Sequence, residues 1–141
     1  MSRQAIYDAI PHREPFLWLD EILERSPARV VCQKTFSGEE DFFRGHYPGH
    51  PVVPGAILCE AALQAGAVLL AQHVAKSDGR LPVVTRISDV RFRRVVRPGA
   101  TIRIEVRLRE RLADAFFLAA RVSVDGKTVA RLEFACTAAA V

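Results

Sequence analysis

The sequence predicts an α+β fold in which an antiparallel β-sheet wraps around one long central α-helix. Three observations lead there. From residue 55 to about residue 75 the chain is almost continuously apolar and rich in Ala and Leu, a composition that favours helix over strand. Further on the pattern changes to period two: Ile102, Ile104, Val106 and Leu108 alternate with Arg103, Glu105, Arg107 and Arg109, as in a half-buried strand. Asp125-Gly126, between Val124 and Thr128, is a tight hairpin signal.

The remaining elements follow in order. Ser2 is placed to cap a short helix that runs to Ala9 and that Pro11 stops. Residues 16–23 and 28–36 read as strands about a turn near Ser26-Pro27. Residues 37–54 are rich in Gly, Pro and His, which predicts a shaped loop. The long apolar run raises the question of a membrane span. Glu60 and Gln64 sit inside it, and an acid there is costly in lipid, so the run reads as a helix buried in its own protein. The helical pattern is expected to end before Asp78-Gly79. Residues 83–92, 116–124 and 128–137 are further strands, for about five or six in all.

The chain has 141 residues, half of them hydrophobic (50%) and about a quarter charged (26%), which fits a single ordered domain over residues 1–141. Met1-Ser2-Arg3-Gln4 has no apolar core of a secretory signal. The 3 cysteines, Cys32, Cys59 and Cys136, are odd in number and share no CxxC spacing, so no disulfide framework is expected. A reducing cytoplasm is the simplest compartment. The net charge of +4 comes mostly from arginines, which cluster at Arg91, Arg93, Arg94 and Arg97 and again at Arg103, Arg107, Arg109 and Arg111. They read either as a solvated strand face or as a dock for an acidic partner. The aromatic interleaving of a nucleic-acid platform is missing.

The chemistry is concentrated between His46 and Gln64. His46 lies in a loop stiffened by Pro48, Pro51 and Pro54. Glu60 falls in the second turn of the following helix, with Gln64 at i+4 on the same face. Removing a C2 proton from a 3-hydroxyacyl thioester and protonating its departing C3 hydroxyl needs such a base and such an acid. Histidine ordinarily titrates near neutrality, and a carboxyl among Ala, Ile, Leu and Cys is expected to stay protonated. The free N–H groups at the helix start, near Gly55 and Ala56, are donors for the charge that develops on the thioester oxygen. The plainer readings are a surface histidine and a glutamate paired with an arginine. His12 and His73 are read as surface residues. A zinc site of His46, His50 and Glu60 lacks the geometry that a helix would give the His-x3-His pair. No metal and no cofactor is called for.

The block Gly45-His46-Tyr47-Pro48-Gly49-His50-Pro51-Val52-Val53-Pro54-Gly55, with Glu60 following, closely resembles the FabZ-type 3-hydroxyacyl-acyl-carrier-protein dehydratases. The resemblance extends to Ile10-Pro11-His12-Arg13-Glu14-Pro15-Phe16-Leu17 and to the stretch from Val90 to Gly99. It implies a hotdog fold and dehydration of a (3R)-hydroxyacyl chain to the trans-2-enoyl thioester. It implies His46 as base, Glu60 as acid, the Gly55 N–H on the thioester oxygen, Gln64 beside the leaving water, and the Val52 carbonyl orienting the histidine ring. The partner implied is an acyl carrier protein. The assembly implied is a homodimer, or a trimer of dimers, in which the histidine of one subunit meets the acid of the other. The acyl chain is expected along the helix, in a groove lined by residues such as Leu63 and Phe92. The rival readings are a hotdog acyl thioesterase, which would release free acid, and a non-catalytic acyl-carrier-binding protein, which would release nothing.

Overall fold

The computed structural model describes residues 1–75 and 79–141. Asp78, where the helical pattern was expected to give way, lies outside them. Two α-helices and six strands follow one another among the described residues: α1 (Arg3–Ala9), β1 (Glu21–Ser26), β2 (Arg29–Thr35), α2 (Gly55–Leu70), β3 (Arg80–Phe92), β4 (Thr101–Leu112), β5 (Ala115–Val124) and β6 (Lys127–Ala140). A short 3-10 helix (Asp41–Arg44) lies between β2 and α2. The strands form a sheet in the order β1-β2-β4-β5-β6-β3, and every pairing is antiparallel.

The period-two pattern sets the register. Val30 lies opposite Val106, Val106 opposite Ala120, and Ala120 opposite Leu132. Beside that row runs another, Cys32, Ile104, Val122 and Ala130. Ile102, Ile104 and Val106 are wholly buried, while Arg103 and Arg107 beside them are exposed. A slip of one residue would reverse both faces, so the register is strongly specified. Asp125 and Gly126 both have positive φ (50° and 80°), the conformation of the two-residue hairpin expected there.

Helix α2 lies across the apolar face. Leu58, Ala61, Ala62, Ala65, Val68, Leu69 and Leu70 join the sheet residues in a common core cluster. Each large aliphatic side chain removed from water stabilises the fold by roughly 1.5–3 kcal/mol. The small residues let helix and sheet approach closely. At Gly66 a β-carbon would come within 2.6 Å of the Phe134 ring.

Three boundaries differ from expectation. Ser2 occupies the N-cap of α1, but its side chain makes no capping bond. The predicted strand at 16–23 begins only at Glu21, because the preceding backbone is bonded to a helix side chain rather than to a strand. The long helix stops at Leu70 instead of near Ala75. Beyond it, Gln72 donates to the Ser26 carbonyl (2.9 Å) and the His73 ring to that of Pro27 (2.6 Å), drawing the chain onto the β1–β2 turn.

Candidate active site

The loop between β2 and α2 is held at three places. An aromatic group anchors its start: Phe42 packs edge-on against Trp18 (5.6 Å between centroids) and Phe36 (6.1 Å). A tight turn follows, in which Tyr47 and His50 exchange backbone bonds of 3.3 and 2.9 Å. Its end is tied down by the Val53 N–H, which donates to the Val96 carbonyl at 2.7 Å.

These anchors fix His46. Its Nδ1 lies 3.0 Å from the Val52 carbonyl oxygen, and its backbone carbonyl accepts the Val52 N–H at 3.0 Å. A carbonyl only accepts, so Nδ1 carries the hydrogen. The neutral ring therefore presents a lone pair at Nε2. Tyr47 stacks on the ring at 4.2 Å.

Helix α2 begins directly after this loop. Its N-cap is Pro54, which has no capping side chain, and the Ile57 and Leu58 N–H groups turn back to the Pro54 carbonyl at 2.9 and 3.2 Å. The N–H groups of Gly55 and Ala56 have no intrahelical acceptor, as at any helix start. A β-carbon at Gly55 would come within 2.8 Å of the Phe92 ring, so any larger residue there needs that ring to shift. Phe92 is itself half exposed, and its ring stands beside the start of α2.

Glu60 and Gln64 follow on one helix face. Gln64, fully buried, donates to Glu60 Oε2 at 3.1 Å and to the Phe16 carbonyl at 2.7 Å, and accepts the Trp18 N–H at 2.8 Å. Both amide hydrogens and one lone pair of the amide oxygen are thus engaged. Cys59 is half-buried beside Glu60, and burial pushes its thiol pKa up.

The structure corrects the reading of His12 as a surface residue. Its Nε2 is 4.0 Å from Glu60 Oε2, and its Nδ1 is sealed from solvent. Nothing in periodicity marks His12; only its place in the block from Ile10 to Leu17 drew attention to it. Among the described residues no hydrogen bond or ion pair joins His46 directly to Glu60. A cleft of about 270 Å³ lined by Arg86, Arg109, Phe117 and Glu133 includes neither residue. Among the described residues no group of three or more His, Cys, Asp or Glu is placed to hold a metal ion.

Residues 10–133 match the FabA-like domain. The chain belongs to the FabA-like family. Among relatives of this FabA-like chain is the 3-hydroxyacyl-[acyl-carrier-protein] dehydratase FabZ of Chloroflexus aggregans, 46% identical over 109 residues, covering 77% of this chain and 75% of that one. The FabZ of Syntrophotalea carbinolica is 38% identical over 129 residues, covering 91% of this chain and 88% of the other. Among solved structures, the dehydratase heterocomplex ApeI:P from Xenorhabdus doucetiae superposes with a TM-score of 0.79 at 20% identity, over 95% of this chain and 90% of that one. The PaaI protein of E. coli superposes with a TM-score of 0.72 at 18% identity, over 96% and 94%. These neighbours share the hotdog fold, the architecture of this FabA-like chain.

Proposed function

We propose that the chain converts a (3R)-hydroxyacyl-acyl-carrier-protein into the trans-2-enoyl thioester and water, in fatty-acid or related acyl-chain biosynthesis. The observation that carries the chemistry is the His46 ring, tied through Nδ1 to the Val52 carbonyl so that Nε2 is left as a base. His46 Nε2 removes the C2 proton. The electron pair of that bond becomes the C2–C3 double bond as the C3–O bond breaks. The departing hydroxyl takes its proton from the Glu60 carboxyl and leaves as water, with Gln64 beside it. The Gly55 N–H stabilises the charge that develops on the thioester oxygen. One such donor is worth roughly 10²–10³-fold in rate, and a placed acid or base about 10²–10⁴-fold. Proton return from His46 to Glu60 resets the pair. No cofactor enters the cycle.

The reading includes a second copy, with each histidine facing the other subunit's acid. The open edge of β3 supports this. It is 13 residues long, ends the sheet, and exposes Ile87, Val90 and Phe92. A homodimer, alone or in a trimer of dimers, would cover those side chains and close an acyl groove along Leu63 and Phe92. The carrier partner accords with the exposed arginines from Arg91 to Arg97. The Val53–Val96 bond brings that stretch against the start of α2. Among the described residues no helix is long and apolar enough to cross a membrane. A cytoplasmic location accords with the reduced cysteines.

The test is to incubate the chain with a 3-hydroxyacyl carrier protein and identify products by mass. Enoyl carrier protein is the expected product; free acid plus thiol would overturn the reading. His46→Ala and Glu60→Gln are each expected to abolish turnover while the chain stays folded. Turnover retained by both variants would remove His46 and Glu60 from the mechanism.

A further inference from the structure

His12 is a group that the mechanism above does not use. It sits in the connection between α1 and β1, and its ring turns inward toward α2, with Nε2 4.0 Å from Glu60 Oε2. Its Nδ1 is buried and has no hydrogen-bond partner among the described residues. Burial lowers the His12 pKa and the nearby Arg13 charge adds to this, together outweighing the opposite pull of Glu60. These are the charged groups that act on the ring among the described residues, and the imidazole stays neutral at neutral pH.

A neutral imidazole carries one N–H. On Nδ1 that hydrogen would be a sealed donor with nothing to accept it, which is costly to leave unmade. On Nε2 it points at a carboxyl oxygen. A separation of 4.0 Å is a facing distance rather than a bond. A small tightening when substrate binds, or one bridging water, closes it. Gln64 Nε2 already donates to the same oxygen at 3.1 Å. One donor therefore reaches Oε2 and a second faces it, while Oε1 has no partner among the described residues.

We propose that His12 is a positioning residue for Glu60, which together with Gln64 holds Oε2 as the accepting oxygen so that Oε1 carries the proton given to the leaving hydroxyl. This rests on Glu60 being the acid. As the proton leaves Oε1 for the C3 hydroxyl, the carboxyl becomes a carboxylate. The donors on Oε2 stabilise the negative charge that develops as the proton leaves.

The experiment compares His12→Leu, which keeps bulk and removes the donor, with His12→Gln, whose amide N–H reaches the position of Nε2. His12→Leu is expected to lower kcat about tenfold with little change in KM, the scale set by losing one hydrogen bond to a charged group. His12→Gln restores most of kcat. Wild-type kcat in His12→Leu would overturn the proposal, as would a His12→Gln variant that folds normally yet is equally slow. Glu60→Gln is run beside them. If it stays active, the underlying acid assignment fails. If it is dead while His12→Leu is normal, only the His12 role fails. Independently of any variant, nitrogen NMR of the wild-type assembly is expected to show the Nε2–H tautomer of His12. An Nδ1–H tautomer would sink the idea.

Discussion

Gln64 accepts the Trp18 N–H at 2.8 Å across 46 residues of sequence, from a side chain that has no contact with solvent. Replacing it with Leu keeps the volume but leaves the buried Trp18 N–H without a partner and takes the donor from the part-buried Phe16 carbonyl. The orphaned N–H costs about 1–3 kcal/mol. Gln64→Leu is expected to lower the urea midpoint markedly and to slow dehydration, since Glu60 loses its donor as well. A midpoint equal to wild type would show that water replaces both bonds.

The contact between Gly66 and Phe134 gives a second expectation. Alanine ordinarily suits a helix interior better than glycine, by about 0.5–1 kcal/mol. Here its methyl group would lie 2.6 Å from a ring that is 3% exposed and has nowhere to move. Overpacking of this kind costs about 1–3 kcal/mol, so Gly66→Ala is expected to destabilise despite its helix propensity. Pairing it with Phe134→Leu should relieve the clash. A double variant that loses the sum of the two single effects would refute the contact as the cause.

Stability should fall on mild acidification through His12. Burial holds its folded pKa below the ordinary value of 6.5, so the unfolded chain takes up the proton first as pH drops. The contribution is complete above that ordinary value and is lost as pH falls through the folded one. The carboxylates of Glu14, Glu40 and Glu105 are also held low, but their loss begins only below their ordinary value of 4.5. Denaturation midpoints measured between about pH 7 and about pH 5 should therefore decline less in His12→Gln than in wild type. Parallel slopes would count against a neutral, buried imidazole.

The arginines divide into two sets. Arg103 and Arg107 on β4 stand near Glu24 (3.9 Å) and Glu105 (3.5 Å), in the solvated ion pairs of a sheet surface. Arg91, Arg93 and Arg97 are exposed beside the start of α2. If the latter dock an acidic carrier, raising salt from about 0.1 M to about 0.5 M should raise KM severalfold while kcat holds, because screening weakens steering. The double reversal Arg93→Glu/Arg97→Glu should raise KM more strongly and flatten its salt dependence. A KM indifferent to salt and to the reversal would place the dock elsewhere.

The sheet and the central helix were legible because their signals are local. Alternation about Ile104 fixes a strand, and an Ala- and Leu-rich run fixes a helix. What was not legible depends on partners far apart in sequence. Residues 16–20 are as apolar as a strand, yet the N–H of Trp18 goes to Gln64, and no periodicity reveals that. The helix composition continues past Leu70, but Gln72 and His73 find acceptors at Ser26 and Pro27 and the chain turns. At the site, the loop, Glu60 and Gln64 stand out in sequence by residue type and spacing. His12 does not, since a lone histidine after a proline carries no mark of the pocket into which it folds.

Helix α2 presents Ala61, Ala62, Ala65 and Gly66 to the sheet and Gly55, Glu60 and Gln64 to the proposed chemistry within the same 16 residues. Rotating or shifting it to suit a longer or shorter substrate would disturb both roles at once. Divergence in substrate range is therefore channelled to positions outside that double constraint, such as the half-buried Leu63 and the half-exposed Phe92. An engineer seeking a new chain-length preference would do best to randomise there and leave the rest of the helix alone.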